Sequence, residues 1–361
     1  MAGISVIAAF PLLLLVFKCS HLRPIWKHGR QIKLEFSPND LSGIDIVVVM
    51  AVFLWRSLKY SILSTCMRIS EEPKSRSGDE LSLVMPFRVT RADLDAYLRA
   101  IRDQPVTANV ELVGSQLLLF LSALSEPAML LLLAHPACRV RPLGAVNVRN
   151  RIELLRPEIC TVQALTSFDG AFLTARLSKD LRTVRRGFEV DLVVSLHIPS
   201  KDSHESTIAF RQHFTILQFG KIHAGIATTS AEQRRDGPHS VVATPAWSDS
   251  KPLTVEHNDP GSWARLCKDY NPIHTSALAA KLFGFPGKLA HGNHVGALAA
   301  KYIASTLADQ NDPLFMEITF KRPVVVPAQL DLRVSSDVDV TRFQILDKNK
   351  VSIEGTVGQL K

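Results

Sequence analysis

Phe188, Val190, Leu192, Val194, Leu196 and Ile198 alternate along the chain with Glu189, Asp191, Val193, Ser195 and His197. A period of two predicts an antiparallel strand lying half-buried on a core. Further on, Val295, Leu298, Ala299, Tyr302, Ile303 and Leu307 fall on one face at helical spacing. That helix also carries Gly292, Gly296, Ala297, Ala299 and Ala300, small residues that let a sheet come close. Strands are expected after it over 314–326, at Leu330/Leu332/Val334, at Phe343/Ile345 and at Val351/Ile353. Asp347-Lys348-Asn349-Lys350 supplies the turn between the last two. An earlier apolar stretch, 117–133, is interrupted by Ser122, Ser125, Glu126 and Pro127, and predicts a buried helix kinked or ended near Pro127. An apolar helix followed by antiparallel strands thus occurs twice. Val148-Arg149-Asn150-Arg151 with Arg156-Pro157 echoes Phe320-Lys321-Arg322-Pro323 at matching places. The fold class is α+β, with a sheet wrapped around a helix in each half.

Two polar stretches, 71–80 and 228–250, carry charges and helix breakers and read as linkers. They divide the chain into a hydrophobic N-terminal region over 1–75, one half over 81–227 and another over 241–361. Within the first region, run 4–17 is short for a spanning helix, which needs roughly 20 apolar residues. It has the length of a signal-peptide core, yet no Lys or Arg precedes it. Run 44–55 contains Asp45 and then meets Arg56 and Lys59. With Lys18, Arg23, Lys27, Arg30 and Lys33 between the runs, residues 4–63 read as a targeting or membrane-associated segment whose basic flank faces anionic lipid. The alternative is a hydrophobic extension packed on the main body.

Composition narrows the class. A chain of 361 residues, 46% hydrophobic and 21% charged, can bury two cores and is not a disordered sequence. The net charge of +8 suits anionic ligands, but no nucleic-acid motif or basic-aromatic interleaving accompanies it. The five cysteines are scattered, odd in number and never spaced C-x-x-C, which argues against a disulfide scaffold and a zinc finger.

The chemistry concentrates between Trp263 and Gly292. Asn271 before Pro272 is a helix start, cap then first turn, and 277–283 continues as a short helix. Capping does not account for Asp269 and His274 together. Their side chains can converge over the turn, where a carboxylate and an imidazole activate a water and return its proton. As metal ligands, Asp269, His274, His291 and His294 lack the i, i+4 histidine pair of a helical site, so no metal is expected. Nothing marks Cys267 as a lowered-pKa nucleophile.

Asp269-Tyr270-Asn271-Pro272-Ile273-His274 resembles the D-x-N-P-x-H signature of the MaoC-like dehydratases and (R)-specific enoyl-CoA hydratases, also called hydratase 2. Gly284-Phe285, the Pro286-Gly287 turn, Ala290-His291-Gly292 and Phe320-Lys321-Arg322-Pro323 are similar to that family's downstream blocks, so the resemblance covers 255–335. The first half, through residues 143–152, resembles more weakly the non-catalytic half of two-domain members. Residues 1–75 find no counterpart.

The resemblance implies a double hot-dog fold, two antiparallel sheets each wrapping a central helix, preceded here by the hydrophobic extension. It implies a hydro-lyase of fatty-acid metabolism that reversibly hydrates trans-2-enoyl thioesters to (R)-3-hydroxyacyl thioesters, with no cofactor. Carried over, Asp269 and His274 form the dyad and Asn271 fixes the loop. The Gly292 N–H, at a helix start, supports the enolate oxygen. Lys268, His291 and Phe285 stand near the substrate. Lys268 replaces a family glycine, and Asn293 and His294 replace apolar positions. Lys268 either pairs with Asp269 or reaches a CoA phosphate. The arginine pairs at 139/141, 149/151 and 185/186 form a solvated face or a second place for such phosphates.

The expected partner is an acyl-CoA or acyl-carrier-protein thioester, not nucleic acid, for a monomer or homodimer associated with a membrane of the endoplasmic reticulum or mitochondrion. The alternative readings are a non-catalytic hot-dog protein that binds acyl thioesters, and a hot-dog thioesterase.

Overall fold

The computed structural model describes residues 20–27, 29–66, 80–102, 112, 114–142, 144–199, 205–219, 228–230, 246–248, 250–303, 312–337 and 340–360, with main chain only over 58–66 and 228–230. Run 4–17 and the linker 71–79 lie outside the described residues.

The first half builds β1 (Gln31–Lys33), β2 (Leu81–Pro86), β3 (Ala145–Leu154), β4 (Phe172–Val184), β5 (Gly187–Pro199), β6 (Ser206–Phe219) and β7 (Thr228–Ser230). The second builds β8 (Lys251–Val255), β9 (Leu314–Phe320), β10 (Ala328–Ser336), β11 (Val340–Asp347) and β12 (Lys350–Gln359). The strands join in the order β1-β2-β4-β5-β6-β3-β9-β12-β11-β10-β8, with β7 on β4. β3 and β9, each the first strand after its half's long helix, pair antiparallel with Ile152 opposite Met316. The echo between 148–157 and 320–323 therefore marks equivalent places, and the two halves share one continuous sheet. This is a double hot-dog.

The strict alternation of 188–198 becomes β5, with Val190, Leu192, Val194, Leu196 and Ile198 buried. The Asp347–Lys350 turn pairs its two ends and places Lys348 and Asn349 at φ +50° and +63°. The strand expected over 314–326 stops at Phe320 instead. Pro323 and Pro327 have no N–H for a ladder, and Val325 keeps only an isolated bridge to Leu289. Residues 228–230 form strand β7, not linker. Ser248 and Ser250 are tied to β10, the first by donating its N–H to the Val334 carbonyl at 2.8 Å.

Five helices matter for the site: α1 (Gly43–Cys66), α2 (Gly114–Ala134), α3 (Asp259–Cys267), α4 (Pro272–Thr275) and α5 (Gly292–Ile303). α2 and α5 are the central helices and cross each other. Ser115 Oγ of α2 donates to the Ala300 carbonyl of α5 at 3.0 Å. Gly296 permits the approach: a Cβ there would stand 3.1 Å from Ile318 of the sheet and 3.8 Å from Leu119 of α2. α2 does not end at Pro127 but continues to Ala134, with Pro127 in its interior. It is the one helix among the described residues long and apolar enough to cross a membrane, and it is almost wholly buried as the core of the fold.

The N-terminal extension is part of this body. β1 adds to the sheet in parallel with β2. Leu22, Ile25, Ile32, Leu34, Val48, Val49 and Phe53 join the core; each such burial contributes about 1.5–3 kcal/mol. Asp45 accepts from Ser20 Oγ and the His21 N–H, both at 2.8 Å, and from Ser42. Burial would raise the Asp45 carboxyl, but these hydrogen bonds outweigh it and hold it below the usual value. The buried Arg56 guanidinium donates to the carbonyls of Leu133, Cys138 and Val140, where the C-terminus of α2 offers unpaired acceptors. Run 44–55 is thus not a free-standing span or anchor: one face of α1 packs on the body. Its other face leaves Ile44, Val47, Leu54 and Trp55 exposed, Trp55 at 67%.

Candidate active site

α3 runs up to Cys267 and is closed by Lys268 in the left-handed conformation, φ +59°. A glycine at such a position carries no Cβ penalty, which explains the family residue that Lys268 replaces. Lys268 makes no ion pair with Asp269 among the described residues. The left-handed step turns the chain so that Asp269 starts a tight loop: its Oδ1 accepts from the Asn271 N–H at 3.0 Å. Asn271 caps α4, its Oδ1 accepting from the Ile273 N–H at 3.3 Å and its carbonyl from the His274 N–H at 2.9 Å. Both ends of the signature are fixed by its own backbone.

The 285–292 block folds back beside this loop. The Leu289 N–H donates to the Ile273 carbonyl at 3.0 Å and the Ala290 N–H to the Val324 carbonyl at 2.8 Å. His274 Nδ1 is 2.9 Å from the Leu289 carbonyl. A carbonyl only accepts, so Nδ1 carries the proton and Nε2 is left with a lone pair. The same block brings His291 under His274, ring centroids 3.8 Å apart. His291 Nε2 lies 3.1 Å from the Asp269 carbonyl and 3.8 Å from Asp269 Oδ2. Burial, with the His274 ring beside it, pushes His291 well below the ordinary histidine value. Phe285 is half-buried and serves the turn, its N–H donating to the Ala280 carbonyl at 3.0 Å.

Gly292 opens α5, so its N–H is among the helix's orphan donors. A Cβ there would fall 2.3 Å from the Phe320 ring. Asp269, His274 and His291 place ligand-type atoms within 4.8 Å of one another, a grouping that could hold a metal ion. His294 is not among them: its Nε2 lies 2.9 Å from the Ala100 carbonyl, and its ring rests against Trp263. Burial, with Glu126 and Asp269 nearby, pushes the Cys267 thiol well above its ordinary value, which does not suit a nucleophile.

Glu126 was read in the sequence only as an interruption of an apolar run. It is buried on α2 with Oε2 lacking a hydrogen-bond partner. Burial, reinforced by the Asp269 charge and only partly offset by a hydrogen bond with Asn293, pushes its carboxyl well above the ordinary range. Asn293 bridges the halves: its Oδ1 accepts from Asn150 Nδ2 of β3 at 2.7 Å, and its Nδ2 donates to Ser122 Oγ at 3.4 Å. The polar residue at 293 therefore has a partner set that an apolar family residue would not need. A charge inside an apolar helix was the signal for Glu126, but its neighbour lies 143 positions further along and only the fold reveals it.

Asp269 and His274, on the loop and short helix after α3, thus lie beside the start of α5, where His291 adjoins Gly292. Residues 244–356 match the family described as MaoC like domain. Over 216 residues the chain is 29% identical to 3-hydroxyacyl-thioester dehydratase X of Mycobacterium tuberculosis, covering 59% of this chain and 67% of that one. The crystal structure of HtdX from the same organism superposes with a TM-score of 0.57 at 23% identity, over 77% of this chain and all of that one, 100%. A MaoC-like dehydratase from Phytophthora capsici gives 0.57 at 14% identity, over 78% of this chain and 96% of that one.

Proposed function

We propose that this chain is a hydro-lyase that adds water across the 2,3 double bond of trans-2-enoyl thioesters, giving (R)-3-hydroxyacyl thioesters, and runs the reverse dehydration. The observation that carries the reading is the convergence of the Asp269 carboxylate and His274, the latter with Nδ1 spent on the Leu289 carbonyl. A water held between them loses a proton to one of the pair as its oxygen bonds C3. The electrons of the double bond move onto the thioester oxygen, the Gly292 N–H supports that charge, and C2 takes up the proton. Asn271 keeps Asp269 in place, with its N–H on Oδ1. The relative named above is a 3-hydroxyacyl-thioester dehydratase, which supports the same reaction class here.

The test is loss of the conjugated enoyl absorbance when the full chain meets trans-2-enoyl-CoA substrates, followed by chiral analysis of the product. Pure (R) product is expected. An (S) product overturns the stereochemistry, and release of free thiol in place of hydration indicates a thioesterase. Membrane association belongs to the same proposal, supported by the exposed face of α1 at Ile44, Val47, Leu54 and Trp55. The full chain is expected to sediment with anionic vesicles and Trp55→Ser to weaken it; identical sedimentation of the two proteins counts against that face.

A further inference from the structure

The short helix Ala277–Leu282, between His274 and His291 in the chain, carries apolar side chains that the fold leaves uncovered. Ser276 caps it, its Oγ accepting from the Ala279 N–H at 3.2 Å, and the N–H groups of Phe283 and Phe285 close its end on the Ala280 carbonyl. Ala280 is its one buried residue. At about 100° per residue, Leu278 and Leu282 share the face opposite Ala280. They are 70% and 81% exposed, and Phe283 beyond them is 48% exposed. Single exposed apolar side chains are ordinary, but three together on one capped turn make a patch.

The charge around it has one sign. Lys281 is exposed on the same turn and makes no ion pair among the described residues. From residue 270 to residue 308 the chain has Lys281, Lys288 and Lys301 and no Asp or Glu. A second copy docked through the same patch would set two Lys281 side chains and two acid-free stretches against each other. A bilayer with anionic headgroups accommodates both features, the apolar side chains inside and the lysine at the headgroups.

We propose that the helix 277–282 is a membrane-docking surface, with Leu278, Leu282 and Phe283 entering an anionic bilayer and Lys281 meeting its headgroups. It goes beyond the contact at α1 and stands on different residues. Docking there holds the segment from His274 to His291 at the lipid surface, where thioesters with long acyl chains partition. That consequence alone rests on the thioester reading.

The experiment is sedimentation of the full chain with vesicles of phosphatidylcholine and phosphatidylserine, and with vesicles of phosphatidylcholine alone. The double variant Leu278→Ser/Leu282→Ser should lower partitioning onto the mixed vesicles by at least about tenfold, since two apolar side chains lose their burial. Lys281→Gln should lower it roughly fivefold on the mixed vesicles and leave the weaker partitioning onto phosphatidylcholine unchanged. All three positions are exposed, so the fold is expected to be retained, and equal thermal midpoints check it. Should the double variant unfold, Lys281→Gln on the two vesicle types decides. Trp55→Ser separates the two surfaces: if it weakens partitioning while the other variants equal the parent, the α1 face stands and this helix is overturned. A parent that partitions onto neither vesicle overturns both. Sedimentation velocity without lipid tests the other occupant. A parent dimer that the double variant converts to monomer, with vesicle partitioning unchanged, assigns the patch to a second copy and overturns the proposal. None of these readouts uses turnover, so they decide the helix whether or not the chain hydrates an enoyl thioester.

Discussion

The imidazole of His291 stacks on that of His274 with centroids 3.8 Å apart and planes 25° from parallel. Burial, with the His274 ring beside it, disfavours the charged form of His291, and its Nε2 lies against the Asp269 carbonyl. The segment that carries Asp269 thus rests on a histidine whose charged form burial disfavours.

Stability on the acid side follows. The folded pKa of His291 is below its unfolded value of 6.5. As pH falls below that value, the unfolded chain binds a proton that the folded chain refuses, and stability drops. His291→Gln should flatten the slope by one proton, about 1.4 kcal/mol per pH unit. Urea unfolding at pH 5, 6 and 7 measures it; parallel profiles for parent and variant contradict the assignment.

Glu126 acts with the opposite sign. Its folded pKa is raised above the ordinary 4.5. As pH rises from there, the unfolded carboxyl releases its proton before the folded one does, and stability is lost. Glu126→Gln removes that loss, so its advantage over the parent should be absent near pH 4 and grow with pH, by about 1.4 kcal/mol per unit until the folded carboxyl ionises. A pH-independent difference in unfolding free energy would contradict this.

Lys268 holds φ +59° with a side chain. Lys268→Gly should stabilise the chain by about 1 kcal/mol, read as a higher denaturation midpoint with an unchanged slope. Destabilisation would mean that the lysine side chain contributes more than its backbone costs.

Gly292 is confined by Phe320, whose ring a new Cβ would meet at 2.3 Å. Gly292→Ala should cost about 1–3 kcal/mol and reduce turnover. Adding Phe320→Ala should recover the stability. If the single variant is as stable as the parent, the ring does not confine the helix start.

Much of this was legible in residue order because the governing interactions are local. The Asn271 cap, the β5 alternation and the Asp347–Lys350 turn depend on neighbours within a few positions. The repeat was legible because each half solves the same packing problem, and β3–β9 pairing makes the two solutions one sheet. The buried helix over 117–133 was legible, but Pro127 does not end it, because a buried helix can lose one hydrogen bond and still be held by its surroundings. The extension could not be decided from its composition: an apolar stripe reads alike whether it faces lipid or α2. The Asp45 and Arg56 partners that settle one face lie up to 84 positions away. Glu126 beside Asp269 was hidden for the same reason.

The central claim is that Asp269 and His274 act on a water at an enoyl thioester. The most direct measurement is hydration of crotonyl-CoA by the full chain beside Asp269→Asn, with butyryl-CoA binding measured on both. The account predicts turnover in the parent, loss of at least about a hundredfold in the variant, and binding retained by both. Equal turnover by the two proteins, or binding without turnover in the parent, would contradict it.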